Sequence, residues 1–354
     1  MEDAGISPRD VDGLACWPGR DPVAAISPVD IAELKNALGL ELNWFSGGRE
    51  GPGQFTSIIN AVMAVSAGQA RHVLCHRTLV ESSGRNQIDA RRAGSDRATG
   101  AEAWRRPFNA SAGVVMLAMY AQRYLHEFGI TREQMGQIAL NGRRNALLNP
   151  KAVMRSPMTL DDYMAARMIA TPLCLLDCDV LIDGSTAVIV SHVDAAKDCR
   201  RKPIRFEAIS GALYGRDSWD QWDDLTTMAA RDAAKRMWQK TDLKPKDVDI
   251  AELYDGFSFL TMFWIEALGF CGKGECGDFI ENGHRISREG ELPLNTHGGQ
   301  LSEGRTHGLG FLHEAVLQLR GDAGDRQMST QPRVAAVASG GGPVAGCMLL
   351  SRPD

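Results

Sequence analysis

The sequence has no excess of charge of either sign. Its 39 Lys and Arg against 44 Asp and Glu leave a net charge of -5. A nucleic-acid binder normally carries a dominant basic face, so that class is excluded. Long apolar runs are missing as well. The pure run at 113–119 is far too short to span a bilayer. The start, MEDAGISPRD, has neither a basic n-region nor an apolar h-region, so no secretory signal is visible and a cytoplasmic location is expected. Cysteines at 16, 75, 174, 178, 199, 271, 276 and 347 form no paired framework, which points to free thiols in a reducing compartment. The close pairs Cys174/Cys178 and Cys271/Cys276 have no second pair nearby, so no metal site is predicted. What remains is an ordinary globular composition, with 44% hydrophobic and 23% charged residues over 354 positions. A chain of that length is expected to form two domains.

The chain repeats itself. Residues 6–12 read ISPRDVD and residues 243–249 read LKPKDVD, and each leads into an apolar segment, GLACW and then IAELY. Proline suits a turn that enters a new element, and the apolar run after it reads as a buried strand. A weaker correspondence follows in the same order. NAVMAVSAG precedes the strand HVLCH, and EAVLQLRG precedes the strand RVAAVA, each helix closing on Gly. Two like-folded α/β halves are predicted, 1–200 and 201–354, separated by the polar stretch AAKDCRRKP. The first half carries an insertion, 78–170, with helices over GVVMLAMYAQRYLHEFG and TLDDYMAARMIA and with Asp161 and Asp162 in the first turn of the latter. An insertion of this size is expected to cap an active site.

These segments, taken together, carry a resemblance. YLHEFGITREQM with NALLNP, then DCDVLIDGSTAVIV, ELYDGFS, NTHGGQLSEGRTHGLG and ASGGG cover nearly the whole chain. In this order the sequence resembles the thiolase superfamily, specifically its sterol-carrier-protein-type, or lipid-transfer, thiolases. The resemblance implies a duplicated thiolase fold, five-layer α/β/α/β/α, and a homodimer. Such proteins begin with a strand and helix ahead of DAGISPRDVDGL, so the start is either truncated or has lost its first strand.

The resemblance also implies four active-site positions. The nucleophilic Cys falls at Gly51, the loop Asn or His at Tyr254, the catalytic His at Arg305 and the acid/base Cys at Ala338. Chemistry through an acyl-enzyme needs a thiolate, which glycine and alanine cannot supply, so thiolase acyl transfer is not expected. A thiolase cleft without a nucleophile suits a retro-aldol cleavage of a 3-hydroxyacyl-CoA. The sequence is similar to the thiolase-like aldolases that shorten steroid side chains, whose loop reads like YDGFS, though Arg305 stands where a second Tyr is implied. Tyr254 is then the candidate acid/base. Arg305 serves as a fixed charge and His307 as a proton shuttle, while Asp255 is either a base or a cap for the helix that follows it. Gly51, His297, Gly340 and Gly341 are candidates for contacts to the CoA thioester, the glycines because backbone can approach closely there. Each has a plainer alternative: an interfacial tyrosine, an ion-paired arginine, a loop or turn histidine. Among Arg91, Arg92, Arg105, Arg106, Arg143 and Arg144 a phosphate contact is possible without singling one out. No cofactor beyond the CoA thioester substrate is expected. The steroid-type relatives imply a small accessory partner with a zinc ribbon and an OB-fold. A non-catalytic acyl-CoA-binding or scaffold subunit is the alternative function.

Overall fold

In the computed structural model, residues 1–19, 25–48, 51–86, 98–100, 102–212 and 224–353 are described. Two four-stranded sheets dominate. The first has the order β2-β1-β3-β6, from β1 (Gly13–Cys16), β2 (Trp44–Gly47), β3 (His72–Val80) and β6 (Asp183–Ser191). The second has the order β7-β10-β9-β8, from β7 (Arg205–Ala212), β8 (Ile250–Leu253), β9 (Val334–Gly340) and β10 (Ala345–Ser351). Between them in sequence, β4 (Met168–Ala170) and β5 (Leu173–Cys174) make a small hairpin.

The repeat read from the sequence is a repeat in space. The turns Pro8–Asp10 and Pro245–Asp247 are both single 3-10 turns. Each feeds a strand, β1 or β8, that pairs in parallel with the strand arriving from its half's central helix, β3 or β9. Those strands pair antiparallel with β6 and β10. The central helices Thr56–Ser66 and Leu309–Arg320 supply the apolar faces. The former lies on β1, β3 and β6, and the latter touches both β8–β9 and β6. Helix Ile31–Leu38 lies on the first sheet, and Ala229–Trp238 lies on β7 and β10. The result is the five-layer α/β/α/β/α thiolase arrangement. In the second half β10 is flanked by β7. The matching outer edge of β6 faces instead a cavity of 390 Å³ lined by Met1, Val188, Ile204, Phe206 and Leu312, among others.

The insertion departs from the expectation in detail. The segment TLDDYMAARMIA is helical only over Leu160–Met164 and then becomes β4. Helix Gly113–Phe128 and helix Arg132–Ala146 follow their amphipathic patterns, and Tyr124 packs edge-on against Phe259 and Phe263 of the second half's helix Ser258–Ala267. Helix Arg132–Ala146 acts as a brace. Asn141 and Asn145 both donate to the Leu294 carbonyl at 2.9 Å, Asn145 also reaches the Asn295 carbonyl, and Asn149 donates to the His297 carbonyl at 2.9 Å. Gly142 makes this approach possible, since a Cβ there would lie 2.9 Å from the Gly298 carbonyl oxygen. Among the described residues no helix is long and apolar enough to cross a membrane.

Asn145→Ala removes two hydrogen bonds to the 294–295 backbone, whose carbonyls keep the Asn141 amide and the Gly298 N–H as remaining donors. It should lower the unfolding free energy by about 1–3 kcal/mol, seen as a lower denaturant midpoint at unchanged slope. An unaltered midpoint would mean that the brace adds no stability.

Candidate active site

Tyr254 and Asp255 come from the loop at the C-terminal end of parallel strand β8, where an α/β sheet opens, and Arg305 and His307 from the loop between helices Gly299–Ser302 and Leu309–Arg320. Tyr254 follows β8 directly. Its ring is seated by Gly256, where an added Cβ would meet the phenol carbons at 2.6 Å, and it leans on Phe311 at a centroid distance of 6.2 Å. The hydroxyl receives a hydrogen bond from Gln54 Nε2 at 3.3 Å, and Gln54 Oε1 accepts one from Ser339 Oγ at 2.7 Å. Gln54 sits in the turn that opens the first half's central helix, and Ser339 ends β9 of the second half. One glutamine therefore joins the halves and fixes the phenol. Burial holds the Tyr254 hydroxyl above its ordinary pKa, aided by Asp179 and opposed by Arg305. At neutral pH this phenol carries its proton.

His307 shares two neighbours with Tyr254, namely Gln300 and Arg305. It adopts φ 48°, in the left-handed region, with its N–H donating to Gln300 Oε1 at 3.0 Å. Its Nδ1 lies 2.8 Å from Arg77 Nη2. Burial, Arg305 and Arg77 together push its pKa well below the usual range, so the ring is neutral. Arg305 lies two residues earlier and is already engaged. Its Nε and Nη2 fork onto Glu81 at 2.9 and 2.5 Å, and Nη1 is 3.4 Å from Asp179.

No sulfur is available. Gly51 stands exposed ahead of helix Thr56–Ser66, and Ala338 is buried within β9. Cys75 is buried under that helix with its sulfur 3.8 Å from the Ser57 carbonyl oxygen, and burial pushes its thiol far up. Cys16, at the end of β1, is pushed up to about 11, mainly by burial. Neither is a thiolate at neutral pH.

Comparison with known proteins agrees with this geometry. Residues 211–350 match the family described as thiolase C-terminal domain-like. The chain is 35% identical over 360 residues to the 17-hydroxy-3-oxo-4-pregnene-20-carboxyl-CoA lyase of Mycobacterium tuberculosis, covering 99% of this chain and 91% of that protein. It is 35% identical to a steroid side-chain-cleaving aldolase of Thermomonospora curvata, covering 99% and 90%. A solved Ltp2-ChsH2(DUF35) aldolase superposes with a TM-score of 0.87 at 31% identity, covering 99% of this chain and 89% of that one. The chain belongs to the thiolase-fold aldolases. It is a carbon–carbon lyase with a thiolase frame and no thiolase sulfur.

The geometry of this aldolase corrects several assignments made from sequence. Asp255 caps, but not the helix that follows it. Its carboxylate accepts from the Gln300 N–H at 2.7 Å, at the short helix Gly299–Ser302, while helix Ser258–Ala267 has no side-chain cap. Burial raises Asp255 to about 7, against the pull of its backbone partners Gln300 and Leu301. Arg305 is no unopposed cation, because the carboxylates of Glu81 and Asp179 neutralise it. His297 is enclosed among carboxylates. It is 2% exposed, with ring nitrogens 2.9 Å from Glu252 and 3.5 Å from Glu303. Gly341 spends its N–H on the Val344 carbonyl, and the Gly340 carbonyl accepts from Trp264, so the pair closes the β9–β10 hairpin. Of the arginines, Arg143 is bound to Ser302 and Ser156, and Arg91 and Arg92 lie outside the described residues.

Sequence reading missed Gln54, Arg77, Glu81, Asp179 and Ser339. Only Arg77 carried a signal, as the one arginine within the strand HVLCHRTLV.

His297 gives a pH test. Burial alone would lower its pKa, but Glu303 and Glu252 overcome burial and push it up to about 10. A raised folded-state pKa stabilises fully below the unfolded value near 6.5 and is lost as pH rises through the folded value. The stability of the aldolase relative to His297→Gln should therefore decline from about pH 6.5 to about pH 10 in denaturant titrations. A difference independent of pH would show that the ring is not a buried cation.

Proposed function

We propose that the aldolase cleaves a 3-hydroxyacyl-CoA with a bulky, steroid-side-chain-like tail, giving a ketone and a shorter acyl-CoA. The observation that carries this reading is the phenol of Tyr254, kept protonated and aimed by Gln54 at the seam of the two halves. The two relatives named above are called a lyase of a hydroxylated steroid acyl-CoA and a steroid side-chain-cleaving aldolase.

A phenol that stays neutral can act as base and acid in one step. Its oxygen accepts the proton of the β-hydroxyl while its own proton passes to Cα. The Cα–Cβ bond breaks in that same step, and its electron pair, spread in part toward the thioester oxygen in the transition state, takes the phenol's proton at Cα. The hydroxyl oxygen becomes the ketone oxygen, and protonation of Cα completes the acyl-CoA. The phenol ends as it began, so its raised pKa is no obstacle. In this reading an N–H of His307 donates to the thioester oxygen as negative charge grows there. No covalent intermediate and no cofactor other than the CoA of the substrate is needed.

The working assembly we propose is a homodimer with a small accessory protein of the OB-fold, zinc-ribbon type. Phe45 on the edge strand β2 is 66% exposed, and Met63 on helix Thr56–Ser66 is 57% exposed, which provides apolar surface for a second copy. The solved relative, the Ltp2-ChsH2(DUF35) aldolase, carries a DUF35 component in its name, which supports the accessory protein.

Tyr254→Phe removes the relay and leaves the ring packing. On a panel of 3-hydroxyacyl-CoA thioesters it should lower kcat by roughly 10²–10⁴-fold at unchanged melting temperature. Cleavage that survives the substitution would defeat the mechanism. If no thioester is cleaved by the wild-type chain, with or without the accessory protein, the non-catalytic reading takes its place.

A further inference from the structure

We infer that Arg77 is a positioning residue that fixes His307 in the Nε2–H tautomer, so that the ring donates a hydrogen bond to the thioester oxygen and never serves as the base. The functional half of this inference rests on the lyase reading above; the tautomer is measurable without any substrate. A guanidinium offers only donors and stays charged at neutral pH. A ring nitrogen 2.8 Å from Arg77 Nη2 must therefore accept, and the single proton of the neutral ring goes to Nε2. In a Ser-His-Asp arrangement a carboxylate occupies this place. It accepts from Nδ1–H and turns Nε2 into a base. Here the partner has the opposite sign, and the histidine has the opposite role.

The surroundings hold that arrangement in place. Arg77 is 2% exposed in β3, and its Nη1 donates to the Ile26 carbonyl at 2.6 Å. Its guanidinium stands 5.6 Å from the Trp17 ring centroid, and Trp17 meets His307 edge-on at 6.2 Å. Burial lowers Arg77 only to about 10, so it remains a cation. The ring meets Arg77 from β3 and the edge of Trp17, Arg305 acts on it from its own loop, and its backbone N–H is held by the Gln300 side-chain carbonyl. The carboxylates in this region, Glu81 and Asp179, are bound by Arg305. Two cations and no unclaimed carboxylate oppose an imidazolium. A neutral donor suits an enolate, which needs a hydrogen bond but not a proton on oxygen. Arg77 thereby excludes the proton-shuttle role considered for His307 on sequence alone.

The test uses the full chain labelled with ¹⁵N-histidine, with His307→Gln to assign its signals. Wild type should show Nε2–H and no titration of His307 across roughly pH 5–8. Arg77→Lys, which keeps a donor and a charge, should keep that tautomer. Arg77→Gln offers both a donor and an acceptor and no charge, so it should give a tautomer mixture that protonates as pH falls. On a cleaved thioester, Arg77→Gln should lower kcat by roughly ten- to a hundredfold with little change in KM and a new acid-side inflection, and Arg77→Lys should recover most of the loss. A wild-type Nδ1–H tautomer, or an Arg77→Gln spectrum with the same tautomer and no titration, would overturn the inference. If Arg77→Gln fails to fold, the wild-type and Arg77→Lys spectra decide alone. Absence of any cleavage by wild type would count against the lyase reading and leave the tautomer result standing.

Discussion

The structure turns on the Gln54 side chain, which takes a hydrogen bond from Ser339 of one half and passes one to Tyr254. Both halves must close on each other for this chain to form. Pro52, beside it, fills the space that Gly211 leaves open in β7 and sets its carbonyl against Gly346 in β10. The resemblance to thiolases puts the nucleophile at Gly51, three residues before Gln54 in the same loop. Here the loop presents an amide, and the amide positions a phenol. The loss of the thiol and the placement of the phenol are two consequences of one loop.

Charge around the site is arranged to leave neutral donors. Glu81 and Asp179 cancel Arg305, the buried Tyr254 keeps its proton, and two guanidiniums disfavour the imidazolium of His307. A developing enolate would meet hydrogen-bond donors that change little during the reaction, which is the preorganisation that lowers a barrier. The full charges sit one layer away, as in the buried group of His297, Glu252, Glu303, Glu314 and Arg326 beneath the loop. Asn141 and Asn145 of helix Arg132–Ala146, with Asn149 just after it, hold that loop from the other side.

Much of the fold was legible because it rests on local chemistry that occurs twice. Proline set the turns at Pro8 and Pro245, and left-handed glycines end both central helices, Gly68 at φ 69° and Gly321 at φ 83°. The loop around Tyr254 was legible as a motif. What escaped depends on contacts between distant segments. Arg305 reads as a loop cation until Glu81, 224 positions away, is brought beside it. Arg77 and His307 are separated by 230 positions. Asp255 reads as a cap for its own helix, since nothing local announces that the amides of Gly299–Ser302 lie nearer. The insertion reads as a cap from its length alone. Its three asparagines gain meaning only once the 294–297 backbone lies opposite them.

The claim at the centre is that a carbon–carbon bond breaks here with no bond to the protein. Intact-protein mass spectrometry of the chain, quenched within a single turnover on a cleavable 3-hydroxyacyl-CoA, tests it most directly. The account predicts the unmodified mass at every time point while ketone and shorter acyl-CoA accumulate. An acyl adduct that forms and decays at the rate of turnover, and maps to a cysteine, would contradict it.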